Sequence, residues 1–162
     1  MKIDCKDKNN FIIGIISDTH GLLLPEAVEV LQGSDIIIHA GDIGKEIVLD
    51  KLGAIAPLVA VRGNMDSEIW AYKLRKTEIV ELNKSLIYVI HNINSLDLDP
   101  AVSHINVVIS GHTHRPSIGD HRGVLYINPG SAGPRRFTLP VSAALLKIRG
   151  TSLDAEIITL KG

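Results

Sequence analysis

At 162 residues, the chain is most simply one domain, long enough to bury about 70% of its unfolded surface; apolar residues make up 45% but aromatics only 4%, so its core must be Ile, Val, Leu and Ala. The formal net charge is −1 and the Lys and Arg residues are scattered, with no basic stripe interleaved with aromatics, which argues against nucleic acid as the primary partner. No apolar run approaches the ~20 residues of a membrane helix.

Residues 1–10 read as a flexible polar lead-in, without a hydrophobic signal segment, to a single domain over 11–162. The only cysteine, Cys5, lies there, so neither an intrachain disulfide nor a cysteine-based zinc site can form. Cys5 is expected to be inert, and the expected setting is cytoplasmic, with no membrane partner. Residues 11–16 are a continuous apolar run rich in β-branched residues, as in a strand buried on both faces. They end in Ser17-Asp18-Thr19-His20-Gly21. Pro25 suits a helix first turn, Ala27, Val28 and Leu31 give an apolar face, and Gly33 stops the helix. Residues 36–38 are a second buried strand, ending in His39-Ala40-Gly41-Asp42. A short helix over 45–52, closed by Gly53, leads to a third strand over 58–61, which ends in Arg62-Gly63-Asn64. Asp42 follows Asp18 by 24 positions and Asn64 follows Asp42 by 22, the length of βα units with parallel strands.

The pattern then changes. Residues 77–82 and 86–90 flank Asn83-Lys84 as an antiparallel hairpin, whose second strand ends in His91. A short helix is expected around Pro100 within 97–105, before a strand over 107–109 that ends in Gly111-His112-Thr113-His114. A strand over 123–127 leads to Asn128-Pro129-Gly130-Ser131. Residues 141–148 and 153–160 alternate as a closing hairpin around Arg149-Gly150-Thr151-Ser152. The sum is an α/β domain with two packed sheets.

Five consecutive strand ends thus carry Asp18 and His20, Asp42, Asn64, His91, and His112 with His114. Sites in open α/β sheets form outside the carboxyl ends of the strands. Seven oxygen and nitrogen donors are too many for one catalytic ion, which typically takes about three protein ligands. They suit two ions sharing one carboxylate. Two divalent ions ~3.5–4 Å apart can hold a bridging hydroxide and clamp a phosphoryl group during in-line displacement, which points to phosphoester hydrolysis.

On these residues the chain resembles the calcineurin-like metallophosphoesterases. Its length and Asn128-Pro129-Gly130-Ser131 resemble the small bacterial and archaeal phosphodiesterase branch. The resemblance implies a four-layer sandwich of two mixed sheets flanked by helices, and a phosphodiesterase acting on a small phosphoester. It implies one metal on Asp18, His20, Asp42 and His114 and a second on Asp42, Asn64, His91 and His112, with Asp42 as the bridge. His112 and His114 then diverge to different ions. Asp42, Asn64 and His112 are expected to take part in catalysis, and no substrate-binding residue is assigned. The donor set suits manganese first, with iron, zinc, cobalt, nickel or magnesium as alternatives. Short oligonucleotides and cyclic nucleotides stay open as substrates, and a homo-oligomer is what the resemblance suggests. Two positions depart from relatives: Met65 stands where many have a histidine after the Gly-Asn pair, and Asn92-Ile93 where a Gly-His often follows the histidine. An alternative is a scaffold of the same fold that binds proteins with little or no catalysis.

Taken singly, Asp18, Asp42 and Asn64 would serve as helix caps; the histidines favour ligation. His39 falls one strand residue too early and reads as a core residue or a partner of a ligand. His104 and His121 read as structural or exposed. Asp66 either hydrogen-bonds near Asn64 or caps a short helix before Trp70. Arg135 and Arg136 read as a solvated loop pair.

Overall fold

The computed structural model describes residues 1–3 and 8–162; Cys5 lies outside the described residues. A two-residue strand, β1 (Lys2–Ile3), lies within the segment expected to be a flexible lead-in, and the next strands follow the apolar runs: β2 is Asn10–Ile16, β3 Ile36–His39 and β4 Leu58–Ala60. Helices α1 (Pro25–Leu31) and α2 (Glu46–Gly53) are the crossovers of the parallel β2-β3-β4 unit. The hairpin strands β5 (Thr77–Leu82) and β6 (Ser85–Ile90) are followed by β7 (Val107–Ile109), β8 (Ser117–His121) and β9 (Val124–Asn128). The closing hairpin is β10 (Val141–Arg149) and β11 (Ser152–Leu160). They form two mixed sheets, one five-stranded in the order β11-β10-β2-β3-β4, the other six-stranded in the order β1-β5-β6-β7-β9-β8.

Period-2 alternation sorts the side chains into layers. Phe11, Ile13 and Ile15 of β2 meet Val80, Ile87, Val89 and Ile109 of the opposite sheet in the central core. Ile16 and Ile37 face outward, under Ala27 and Leu31 of α1 and Val48 and Leu52 of α2. Each fully buried Leu or Ile contributes about 1.5–3 kcal/mol of burial. Gly14 lets α1 approach: a Cβ there would collide with Leu31 and Ser34. On the far side, Tyr88, Ile90 and Val108 are covered by Leu96, Leu98 and Ala101. The result is the expected four-layer sandwich.

The helix expected around Pro100 does not form. A 3-10 turn spans Ile93–Ser95 and residues 100–104 make only turns. Asp99 Oδ1 captures the N–H groups of Ala101 and Val102, and His104 at φ 60° stops the turn from propagating. The helix weighed before Trp70 is a 3-10 turn, Ile69–Lys73. Strand β8 had no sequence signature, because all five of its residues are exposed. Lys2 and Ile3 of the lead-in pair in parallel with β5, where the N-terminal ammonium also donates to the Ile79 carbonyl. No helix among the described residues is long and apolar enough to cross a membrane.

Candidate metal centre

The carboxyl ends of both sheets converge on one edge, and backbone hydrogen bonds stitch the loops together there. Asp18 N donates to Gly41 O, His20 N to Asp42 O and Gly111 N to His91 O. Asp18, His20, Asp42, His112 and His114 all sit in the left-handed region, at φ between 47° and 72°. Non-glycine residues rarely go there, although Asp and His do so more readily than most. Strain of this kind clusters at functional sites.

Asp18 is fully buried. Its Oδ2 accepts from Ser17 Oγ at 2.6 Å and from the His112 N–H at 3.0 Å. Its Oδ1 is buried without a hydrogen-bond partner, yet faces three imidazole Nε2 atoms: His114 at 3.3 Å, His20 at 3.9 Å and His91 at 4.0 Å. Asp42 Oδ1 accepts from the Met65 N–H at 2.9 Å, leaving Oδ2 3.4 Å from His91 Nε2 and 4.0 Å from His20 Nε2. A buried carboxylate oxygen without a hydrogen bond is costly unless positive charge faces it, from an imidazolium or a bound metal ion.

The imidazoles fall into two groups. His20 and His114 place their Nε2 atoms 3.5 Å apart, beside Asp18. His91 and His112 meet edge to face, with Asn64 Oδ1 between them, 2.9 Å from His91 Nε2 and 3.2 Å from His112 Nδ1. His91 Nδ1 lies 2.7 Å from the Ala40 carbonyl and donates to it, which leaves Nε2 facing Asn64 Oδ1 and Asp42 Oδ2. Asp18 thus reaches both groups, and Asp42 Oδ2 spans His91 and His20. The seven residues expected from the sequence are all at this edge. Two mixed oxygen–imidazole groups fit borderline divalent metals.

Electrostatics agree with a cation-seeking site. Burial acts to lower the His91 pKa, but the hydrogen bond and charge of Asp42 overcome it and the net shift is upward. Burial acts to raise Asp42, but the His91 and Met65 hydrogen bonds bring it below the usual carboxylate value. His114 is lowered, chiefly by burial, with the Arg136 charge adding to the effect against Asp18.

His39 is a buried organiser. Its Nδ1 accepts from Gly41 N at 3.1 Å, so Nε2 donates to Thr19 Oγ1 at 2.9 Å, and that hydroxyl donates to Ile43 O at 2.8 Å. Burial first, then the His91 charge, pushes its pKa down to about 3. Asp66 is 5% exposed and does more than the sequence suggested: Oδ2 accepts from the N–H groups of Ile43 and Gly63, and Oδ1 from Gly44. It locks the Asp42 loop to the Asn64 loop. Asn128 Nδ2 donates to Gly111 O and Thr113 Oγ1, and Ser131 Oγ to Asp18 O; the sequence marked these only as a motif. Arg135 and Arg136 are exposed, as are His104 and His121.

Residues 11–151 match the family described as the calcineurin-like phosphoesterase superfamily domain. A probable metallophosphoesterase of Methanothermobacter thermautotrophicus is 35% identical over 91% of this chain and 91% of its own length. A phosphodiesterase of Methanocaldococcus jannaschii is 30% identical over 73% of this chain and 82% of its own length. Among solved structures, the Vps29 protein of Chaetomium thermophilum superposes with a TM-score of 0.77 at 21% identity, covering 93% of this chain and 97% of that one, which shows a shared fold.

Proposed function

Because the chain belongs to the calcineurin-like phosphoesterase superfamily, we propose that it is a phosphodiesterase working with two divalent ions, manganese first among them. The observation that carries this is the unpartnered Oδ1 of buried Asp18, faced by the Nε2 atoms of His20, His91 and His114. Asp18, His20 and His114 would hold one ion, and Asn64, His91 and His112 the other, with Asp42 bridging. Bound there, such ions supply a nucleophilic hydroxide at neutral pH and neutralise charge on the phosphoryl oxygens.

The chain's own residues do the rest. Ser17 and the His112 N–H orient Asp18, Met65 N–H orients Asp42, and Ala40 O fixes the His91 tautomer. Exposed His112 lies at the open side, placed to donate to a phosphoryl oxygen. Neither the Met65 thioether nor the Asn92 amide can supply a proton to a leaving oxygen. The reading therefore favours diesters and activated esters with easily expelled groups.

The test is a phosphoester panel assayed on metal-stripped protein after adding back each divalent ion. Manganese-dependent cleavage of an aryl phosphodiester is expected, with loss of both bound metal and cleavage in Asp42→Asn. If Asp42→Asn kept its metal and its rate, the assignment would be wrong. The likeness to Vps29 and the exposed Met65, Ile69 and Tyr72 support a second reading, a protein-binding scaffold. It would be favoured by inactivity under every ion. Met65 follows directly on Asn64 in the chain, so it adjoins the donor set.

A further inference from the structure

A cavity of about 430 Å³ opens beside one of the two imidazole groups: Asn64 and His91 form part of its wall. Its floor is Tyr88 and Ile90, the outward face of β6. Two cations line it, half-buried Arg62 and exposed Lys76. They arrive together because Arg62 N donates to Arg75 O at 2.8 Å, which brings the end of β4 against the start of β5. The Arg62 guanidinium is held over the Tyr72 ring, 4.9 Å from its centroid. Among the described residues neither cation has a carboxylate within 4.0 Å, and Asp97 is the one acidic residue on the wall. The volume lies within the range of small-molecule pockets, and its free charge is positive.

Resting on the phosphodiesterase reading, we propose that this cavity receives the leaving half of the substrate and selects phosphodiesters whose leaving alcohol carries a second anionic group, bound by Arg62 and Lys76. A phosphorus atom between the two imidazole groups has one ester arm on the Asn64–His91 side, and this cavity is what that arm meets. In the step itself, the oxygen of a water that has lost a proton to solvent bonds to phosphorus, the bond from phosphorus to the alcohol oxygen breaks, and the departing alkoxide or phenoxide takes a proton from solvent. A tethered anion in the cavity holds that oxygen in line, so the subsite contributes positioning where Met65 and Asn92 contribute no acid.

The test uses three methyl aryl phosphodiesters with a para carboxylate, phosphonate or carbamoyl group on the leaving phenol. The carbamoyl phenolate is a better leaving group than the carboxylate one, so intrinsic reactivity runs against the expected order. The native protein should prefer the anionic esters by about tenfold in kcat/KM, the worth of one charge-assisted hydrogen bond, and the better of the two names the anion. In Arg62→Gln/Lys76→Gln that ratio should fall close to one. Equal kcat/KM in the native protein, or a preference that survives the double variant, overturns the proposal. Inactivity toward all three under every divalent ion would defeat the phosphodiesterase reading instead. The subsite is then read by amide NMR with 4-hydroxybenzoate and 4-hydroxybenzamide. Saturating shifts around Arg62 and Lys76 with the carboxylate alone sustain it, and equal or absent shifts overturn it.

Discussion

Replacing Asp66 with alanine removes three backbone hydrogen bonds and touches no candidate ligand side chain. Its Oδ2 accepts from Ile43 N at 3.2 Å and Gly63 N at 2.9 Å, and Oδ1 from Gly44 N at 3.0 Å. Hydrogen bonds to a charged acceptor contribute about 1.5–3 kcal/mol each, so plain addition gives about 4.5–9 kcal/mol. Gly44 is only half-buried, and water reaching its N–H recovers part of that. The buried amides of Ile43 and Gly63 have no such recourse. The expected loss is about 3–5 kcal/mol, a large share of the ~5–15 kcal/mol that holds a typical domain. At about 2–4 °C per kcal/mol for a chain of this size, Tm should drop by about 10 °C. Asp66→Asn keeps an oxygen for two of the amides and should cost about 1–2 kcal/mol. Urea unfolding of the metal-free protein measures both variants. A loss within about 1 kcal/mol for Asp66→Ala would refute the claim that one carboxylate fastens these loops.

Three further outcomes are expected. Buried His39 has its pKa lowered to about 3 from 6.5, so the unfolded chain takes up a proton below pH 6.5 that the folded protein refuses until about pH 3; stability is intact above pH 6.5 and should fall by about 1.4 kcal/mol per unit below it. Urea titrations from pH 7 to 5 should show that slope diminished in His39→Gln, and an unchanged slope would count against it. His112→Ala and His114→Ala should each lower bound metal from two ions toward one, measured by plasma emission, and a metal-loaded structure with both imidazoles on one ion would refute the division. A Cβ at Gly63 would overlap the Asp42 backbone nitrogen and Oδ1, so Gly63→Ala should keep its circular dichroism yet lose about 100-fold in hydrolysis; near-normal turnover would show that the Asp42 loop yields.

The strands β2 and β3 could be read from the chain because burial on both faces leaves an uninterrupted apolar run. The two hairpins could be read from alternation and turn residues. Strand β8 could not, since a strand exposed along its whole length has no apolar face to register, and β1 is two residues paired with a segment far along the chain. The donors of the site could be read because each closes an apolar run. Their grouping was legible only through the family resemblance and not from the strand pattern: His20 and His114 are 94 positions apart yet meet at 3.5 Å, a consequence of how two sheets pack. For Asp66 a hydrogen bond near Asn64 and a helix cap stayed equally open, because an acceptor for three distant amides has the same one-letter signature as an acceptor for one.

Five of the seven donors combine their chemistry with an unusual backbone state, and the two facts have one cause. A residue at positive φ turns the chain sharply as it leaves a strand, which returns the loop to its neighbours before it can wander into solvent. The return is tight enough that glycine must stand where loops touch: a Cβ at Gly111 would strike Ser17 Oγ and Asp18 Oδ2, and one at Gly44 the His20 backbone. Left-handed geometry costs a non-glycine residue about 1–3 kcal/mol where nothing offsets it. Here the offset is visible in the bonds Asp18 N to Gly41 O, His20 N to Asp42 O and His112 N to Asp18 Oδ2. Asp and His are also among the side chains that tolerate this region best. The residue types that suit metal ligation are therefore the ones that can occupy these turns, which is why Asp18-Thr19-His20 and Gly111-His112-Thr113-His114 carry more information than their ligand chemistry alone.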